Sequence, residues 1–384
     1  MDHGRTGLME YFARLPEMSY RALNGGEMGY LSTMRRNRRA TWALPAVVVL
    51  LASGCAVTGS PGDQSTSKQR DAFKVILLSS PTGLDAPLFY GVDKGIFKEH
   101  GVDLSIQFGT GSQAAYDAVA SGRADAGVTV YSAVVLNSAN KGELISFGSL
   151  HQVDSAGILV SESSKVTSVA GLKGKTLLAA PGSATRKMLP VLLSRAGLNE
   201  KDVTVKDVSL SAMYATYAAG QGDGMVTVLP NSVPLVKDKR PSVPLSFIDN
   251  GIIQPGLNLV AKPADLREKR DVYVRFLAAL SEAESAADGD SDGAVEAVTK
   301  KAPQLDKDVA AGQFAAGKEF RCWSKAAVGS SPLLLPDPLW RDGVSVFEEA
   351  KMIDKGSVRI SDFFTNDIAA AAVKDSKSKA ASCR

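Results

Sequence analysis

Residues 86–104 run APLFYGVDKGIFKEHGVDL, and the stretch predicts a helix over about Ala86 to Lys94, closed at Lys94-Gly95, followed by a strand from Val102 to Phe108. A strand over Phe73 to Leu78 precedes it. Beyond it come a Gly-rich turn, a helix over Ser112 to Ala120, a strand over Gly127 to Val130 and a helix from about Ser132 to Asn140. Strands Leu144 to Gly148 and Gly157 to Val160 complete this part. Strands alternating with helices predict parallel sheets covered on both faces.

A second run repeats the order: strand Thr176 to Ala180, helix Ala184 to Ala196, strand Val203 to Val208, helix Ala212 to Ala219 and strand Met225 to Leu229. In its first helix Met188, Leu189, Leu192, Leu193 and Ala196 share one face and read as core. Pro-containing residues 241–263 hold two further strands, Leu245 to Ile248 and Leu257 to Ala261, which would return the chain to the first unit. The remainder is helical, with stripes Val272-Phe276-Leu277-Leu280 and Trp340-Val344-Phe347 expected to pack on the first unit.

Of 384 residues, 45% are hydrophobic and 22% charged, which excludes disorder throughout and leaves room for two lobes. No apolar run reaches the roughly 20 residues of a membrane span, so a polytopic membrane protein is excluded. Residues 1–54 hold seven Arg against four acids, so the net charge of +3 resides there. The balanced remainder has no surplus with which to neutralise phosphates, and no nucleic-acid partner is expected.

Within that leader, Met34-Arg35-Arg36-Asn37-Arg38-Arg39 is basic, Trp42 to Ala52 is apolar but too short to span, and Ser53-Gly54-Cys55 follows. This is the order of an export signal. Leu50-Leu51-Ala52-Ser53-Gly54-Cys55 resembles a bacterial lipobox, which implies a lipid on Cys55 and translation from Met34 or Met28. Residues 55–72, rich in Gly, Ser and Thr, read as a flexible tether. Cys322 and Cys383 then read either as one disulfide pinning the tail or as two unpaired thiols.

From Asp71 onward the histidines are His100 and His151, with no HExxH, no zinc-type Cys spacing and no GxSxG elbow, so no catalytic centre, cofactor or metal is expected. Gly171-Leu172-Lys173-Gly174-Lys175-Thr176 imitates the end of a phosphate loop, but Val169 stands where the first Gly belongs and the segment reads as a turn. Gly109-Thr110-Gly111-Ser112 closes a strand and opens a helix, and Pro181-Gly182-Ser183-Ala184-Thr185 repeats the arrangement in the second run. Amides at such helix starts attract an anionic or polar ligand group, so two starts facing each other across a cleft are expected.

Ala86 to Tyr90 with Asp93 to Leu104 resembles the opening segment of ABC-importer solute-binding proteins of the nitrate, sulfonate, taurine and thiamine-pyrimidine-precursor group, in the type II periplasmic-binding-protein superfamily. Ala118 to Asp125 (AVASGRAD), Val169 to Lys175 (VAGLKGK), Ala219 to Gly224 (AGQGDG) and Asp362 to Asp367 (DFFTND) resemble further segments of that group in the same order. Where the thiamine-precursor branch carries Trp and His in its first loop, Ser79 to Asp85 keeps Pro81 and has neither.

The resemblance implies an α/β, two-lobed type II periplasmic-binding-protein fold, each lobe a mostly parallel sheet flanked by helices, joined by two crossovers. Lobe one is expected over residues 73–160 plus 253–384 and lobe two over 161–252. It implies an extracytoplasmic, lipid-anchored monomer that closes on a small solute and delivers it to an ABC permease and its ATPase subunits. The solute would be a heterocycle or of sulfonate, taurine or nitrate type. Candidate ligand contacts at strand ends are Ser80, Thr82, Asp85, Thr110, Ser112, Tyr131 as an aromatic wall, Ser132, Ser183, Thr185 and Asn231. Each hydroxyl reads equally as a helix cap, and Asp85 either selects a cationic solute or caps the following helix. An enzyme resembling a pyrimidine synthase of the same fold is the alternative; it would need a cysteine-rich iron-binding stretch, and no Cys stands between Cys55 and Cys322.

Overall fold

The strand-and-helix alternation folds into two five-stranded sheets of matching strand order. The computed structural model describes residues 70–140, 142–328 and 333–375; the leader with Cys55, the tether up to Gln69 and the tail with Cys383 lie outside them. The first run comprises β1 (Asp71–Ile76), α1 (Ala86–Asp93), α2 (Ile96–Glu99), β2 (Val102–Gln107), α3 (Ser112–Ala120), β3 (Ala126–Val130), α4 (Tyr131–Ala139) and β4 (Ile145–Ser149). The second comprises β5 (Ala156–Ser161), β6 (Thr176–Ala179), α5 (Ala184–Arg195), β7 (Thr204–Asp207), α6 (Leu210–Ala218), β8 (Gly224–Val228), α7 (Leu229–Val236) and β9 (Ser242–Ser246). Then follow β10 (Leu257–Ala261), α8 (Pro263–Glu268), α9 (Arg270–Gly289), α10 (Ser291–Lys301), α11 (Lys307–Val328), α12 (Asp337–Glu349) and α13 (Asp367–Asp375).

Sheet one has the order β2-β1-β3-β10-β4 and sheet two β7-β6-β8-β5-β9. In each, three parallel strands are followed by one antiparallel strand inserted out of chain order: β10 between β3 and β4, β5 between β8 and β9. The strand at Gly157 to Val160, expected in lobe one, therefore belongs to sheet two. Its six residues AGILVS are all buried, as an inner strand requires, but an apolar run does not name its partner. Strand β9 begins at Ser242 rather than Leu245 and contains Pro244, which a sheet edge tolerates because one side of the strand forms no ladder.

Three cores hold this together. On one face of sheet one, Phe73 stacks on Phe276 of α9 at 4.6 Å and meets Tyr273 edge-on at 5.0 Å. The expected α9 stripe of Val272, Phe276, Leu277 and Leu280 is buried there. A second core joins Ile76 and Val260 of sheet one to Ile158 and Leu177 of sheet two through Trp340 and Phe347 of α12. Helix α12, expected on the first unit, thus spans both sheets, and Arg195 of α5 pairs with its Glu349 at 2.6 Å. The third core, on sheet two, contains Leu178, Met213, Tyr217 and Met225 and is completed by Phe320 of α11. The two crossovers run side by side: Asp154 N–H donates to the Gln254 carbonyl at 2.9 Å, and Gln254 Nε2 to Asp154 Oδ2 at 2.6 Å. No described helix is long and apolar enough to cross a membrane.

Candidate functional site

The carboxyl ends of the parallel strands carry the loops that the sequence singles out. After β1, Thr82 and Asp85 close a capping box: Thr82 N–H and Oγ1 donate to Asp85 Oδ2 at 2.8 and 3.0 Å, and Leu84 N–H donates to Thr82 Oγ1 at 3.3 Å. Asp85 therefore caps the turn that precedes α1. Burial pushes its carboxyl up to about 6 despite those bonds, which act the other way. Gly83 sits hard against α11, where a Cβ would fall on the Ala310 carbonyl, and its N–H donates to Gln313 Oε1 at 2.9 Å. Ser80 is exposed, its carbonyl accepting from Ser79 Oγ at 3.0 Å.

The turn after β2 lies on the end of β1 through Gly109 N–H to the Ser79 carbonyl and Gly111 N–H to the Leu78 carbonyl, at 3.3 and 2.7 Å. Gly111 adopts φ 138°, a conformation that disfavours any side chain. Helix α3 starts there without a side-chain cap, so the amides of Ser112, Gln113 and Ala114 have no acceptor among the described residues. Ser112 Oγ accepts from Val130 N–H at 3.4 Å, tying this start to that of α4, which also has no side-chain cap. Thr110 is exposed beside them.

Tyr131 is not an aromatic wall. It is 1% exposed, its hydroxyl donates to the Trp340 carbonyl at 3.0 Å, and its ring lies edge-on to Trp340 and Phe347. Ser132 is buried as well. Both follow β3 directly, and the helix turn carries them inward. The exposed aromatic at this edge is Phe108, which sequence reasoning passed over because it closed a strand pattern.

In sheet two, Ser183 Oγ accepts from Arg186 N–H at 3.2 Å and lies 3.1 Å from Thr185 Oγ1, so these two residues cap α5 and each other. Pro181 and Gly182 before them are exposed. The Asn231 carbonyl accepts from Gln313 Nε2 at 3.2 Å, while its Oδ1 is buried with no partner among the described residues. Gln313, 3% exposed, thus joins the loop after β1 to the helix after β8. No sequence motif marks it. The available signal was glycine inside a helix: Gly312 and Gly317 let α11 approach Pro234 and Leu84, where a Cβ would crowd both. Cys322 lies on the same helix, its side chain outside what is described.

Across these loops, residues 79–85, 108–112, 181–185 and 229–231 contain no Lys or Arg. Their side chains are hydroxyls, the amide of Asn231, apolar groups and one carboxyl, that of Asp85. No group of three His, Cys, Asp or Glu among the described residues is placed to hold a metal ion.

A family model described as "NMT1/THI5 like" matches residues 85–294. A "Putative binding protein" of Brucella abortus (strain 2308) is 24% identical over 219 residues, covering 56% of this chain and 66% of that protein, just under two thirds of its length. Among solved structures, the periplasmic aliphatic sulphonate binding protein SsuA from Escherichia coli superposes with TM-score 0.60 at 19% identity, covering 76% of this chain and 91% of its own. The desulfurization enzyme DSZB superposes with TM-score 0.55 at 13% identity, covering 79% and 99%. These structural likenesses concern the fold.

Proposed function

The chain belongs to the NMT1/THI5-like family, and from that premise we propose that it is the solute-binding subunit of an ABC-type importer. It captures a small organic oxyanion of sulfonate type between two lobes, residues 71–149 with 257–375 and residues 156–246. The observation that carries this reading is the start of α3, whose amides at Ser112, Gln113 and Ala114 have no acceptor among the described residues, joined through Ser112 to the start of α4, which has no side-chain cap and whose first amide is held by the Gly256 carbonyl. Their amides suit an oxyanion in a cleft edge whose loops have no basic side chain. The sulphonate-binding neighbour supports the same class.

Ser80, Thr82, Thr110, Ser112 and Asp85 contribute from lobe one, and Ser183, Thr185 and Asn231 from lobe two. The protein works outside the cytoplasm, held by a lipid on Cys55, as a monomer that presents its solute to the permease. Closure needs contacts that only the closed state supplies, since a ligand indifferent to both states shifts neither.

Melting the purified chain with alkanesulfonates, nitrate, and a neutral pyrimidine tests the reading. A sulfonate is expected to raise the melting temperature in proportion to the logarithm of its concentration. Stabilisation by the pyrimidine alone would replace the oxyanion with a heterocycle. Turnover of an aryl sulfinate, the class of ligand bound to DSZB, would replace the receptor with an enzyme.

A further inference from the structure

One side chain bridges a loop of lobe one to a loop of lobe two. Gln313 of α11, 3% exposed, accepts from Gly83 N–H through Oε1 at 2.9 Å and donates through Nε2 to the Asn231 carbonyl at 3.2 Å. Both loops follow parallel strands whose carboxyl ends point to the gap between the lobes. After β3, Tyr131 N–H donates to the Gly256 carbonyl at 3.1 Å, and after β8, Leu229 N–H donates to the Ser155 carbonyl at 3.0 Å; both carbonyls belong to the crossovers. Strand β1 runs parallel to β3, which brings the Thr82–Asp85 turn to the same side.

The bridge calls for a carboxamide. Gly83 presents a donor and the Asn231 main chain an acceptor, and a carboxamide carries the complement of both on one planar end. A carboxylate only accepts, and Lys or Arg only donates.

The two contacts differ in firmness. On the side of lobe one, Gly83 is pressed against α11, where a Cβ would fall on the Ala310 carbonyl, and Ala310 and Phe314 belong to the core of sheet one. On the side of lobe two, Gly312 lies against the Pro234 ring. Such an apolar contact survives a small slide, whereas a hydrogen bond has a direction and is either made or lost. A second acceptor stands on the same residue of lobe two: Asn231 Oδ1 is buried with no partner among the described residues. A buried oxygen left in that state requires a partner in some other state of the molecule or a reason to lack one.

We propose that Gln313 is a positioning residue for solute capture. It holds the Thr82–Asp85 turn in register with the start of α7, and when the lobes close its Nε2 passes from the Asn231 carbonyl to Asn231 Oδ1. Helix α7 then has two defined seats on α11 instead of a continuous range. The inference rests on the reading of two-lobe capture and deepens it, naming the contact that separates the two states whichever solute binds.

Hydrogen exchange read by mass spectrometry on the purified full chain, without solute, tests the register. Gln313→Met keeps the length of the side chain and removes both bonds. Exchange is expected to quicken at least about fivefold in residues 79–85 and in residues 229–236, with β6 unchanged. A change in one loop alone, in neither, or throughout the chain with β6 included overturns the register. Should that variant fail to fold, Gln313→Glu replaces it: protonated, its carboxyl both donates and accepts, and ionised it only accepts. Residues 229–236 should then exchange as in wild type at about pH 5.5 and faster at about pH 8 after correction for intrinsic rates; equal protection at both overturns the register. Calorimetric titration with propane-1-sulfonate tests the second seat. Asn231→Leu removes Oδ1 and keeps the carbonyl, so its loss of affinity should be about tenfold larger with Gln313 present than in the Gln313→Met background. Equal losses in both backgrounds would mean that Asn231 meets the solute without help from Gln313, and the second seat falls while the oxyanion reading stands. Failure of propane-1-sulfonate to bind wild type removes the oxyanion reading; the neutral pyrimidine then serves as titrant, and Gln313 is judged by the same two measurements.

Discussion

The two sheets share one strand order, yet the loops at their matching strand ends are built differently. After β1 the chain is pressed under α11, with Gly83 against a helix carbonyl and Asp85 turned into a capping box. After β6, its counterpart, Pro181 and Gly182 are exposed and Ser183 caps its own helix. Equivalent topology therefore does not impose equivalent work. The loop of lobe one is tied to a distant helix through Gln313, whereas the bonds described for Ser183 and Thr185 in the loop of lobe two are to each other and to the first turn of their own helix.

The two helices that span the lobes differ in the same way. Helix α11 crosses through buried groups: Phe314 in the core of sheet one, Phe320 in that of sheet two, and the Arg321–Asp288 pair. Helix α12 adds to its apolar contacts an ion pair at the surface, with Arg195 and Glu349 30% and 44% exposed.

Substitutions measure how deep this asymmetry goes. Arg321→Ala strands Asp288 in the interior and is expected to cost about 3–5 kcal/mol in urea unfolding; a cost under about 1 kcal/mol would make the two spanning helices alike. Gly83→Ala should destabilise by about 3 kcal/mol, because a methyl there meets backbone that has no room to yield. Gly182→Ala meets open space and bears only the strain of φ 73°, about 1 kcal/mol. Equal losses at the two glycines would show that the loops are equally pinned.

Acidity acts on the buried groups near the first loop in opposite directions. His151 has its folded pKa below the unfolded one, so its contribution is present above pH 6.5 and is lost as pH falls through the window down to about 3. Glu284 and Asp85 have raised pKa values, so the native state takes up their protons more readily and gains stability as pH falls through 7 and 6. In wild type the two trends oppose one another below pH 6.5. Removing the first by His151→Asn should make the unfolding free energy climb more steeply on acidification, by about 1 kcal/mol between pH 6.5 and 5.5. The smallest effect is expected from Arg195→Ala, under about 1 kcal/mol and further reduced by salt.

Much of this molecule was legible in order along the chain. The helix Ser112–Ala120 and the strand Leu257–Ala261 stand at the residues their periodicity assigns, because local pattern and burial agree there. The site was legible only as a set of loops. Ser183 reads equally as a ligand group or a cap, and in the fold its hydroxyl caps α5; a hydroxyl beside a helix start has the same sequence signature in either role. Tyr131 pointed outward in the reading and inward in the fold, because one residue of helix rotates a side chain by a large angle and nothing local says which way the core lies.

Sequence alone determined the α/β alternation, the doubled arrangement of strands and helices, and the helix-start loops without basic residues, all consequences of periodicity, glycine and charge that act over a few neighbours. Tertiary structure decided that β5 joins sheet two, that Gln313 links Gly83 and Asn231, which lie 230 and 82 residues before it, and that Asp85, His151, Glu284 and Arg321 surround one small space. Each of those depends on which surfaces meet once water is expelled. That choice is made by packing among distant residues and leaves no mark on the local pattern.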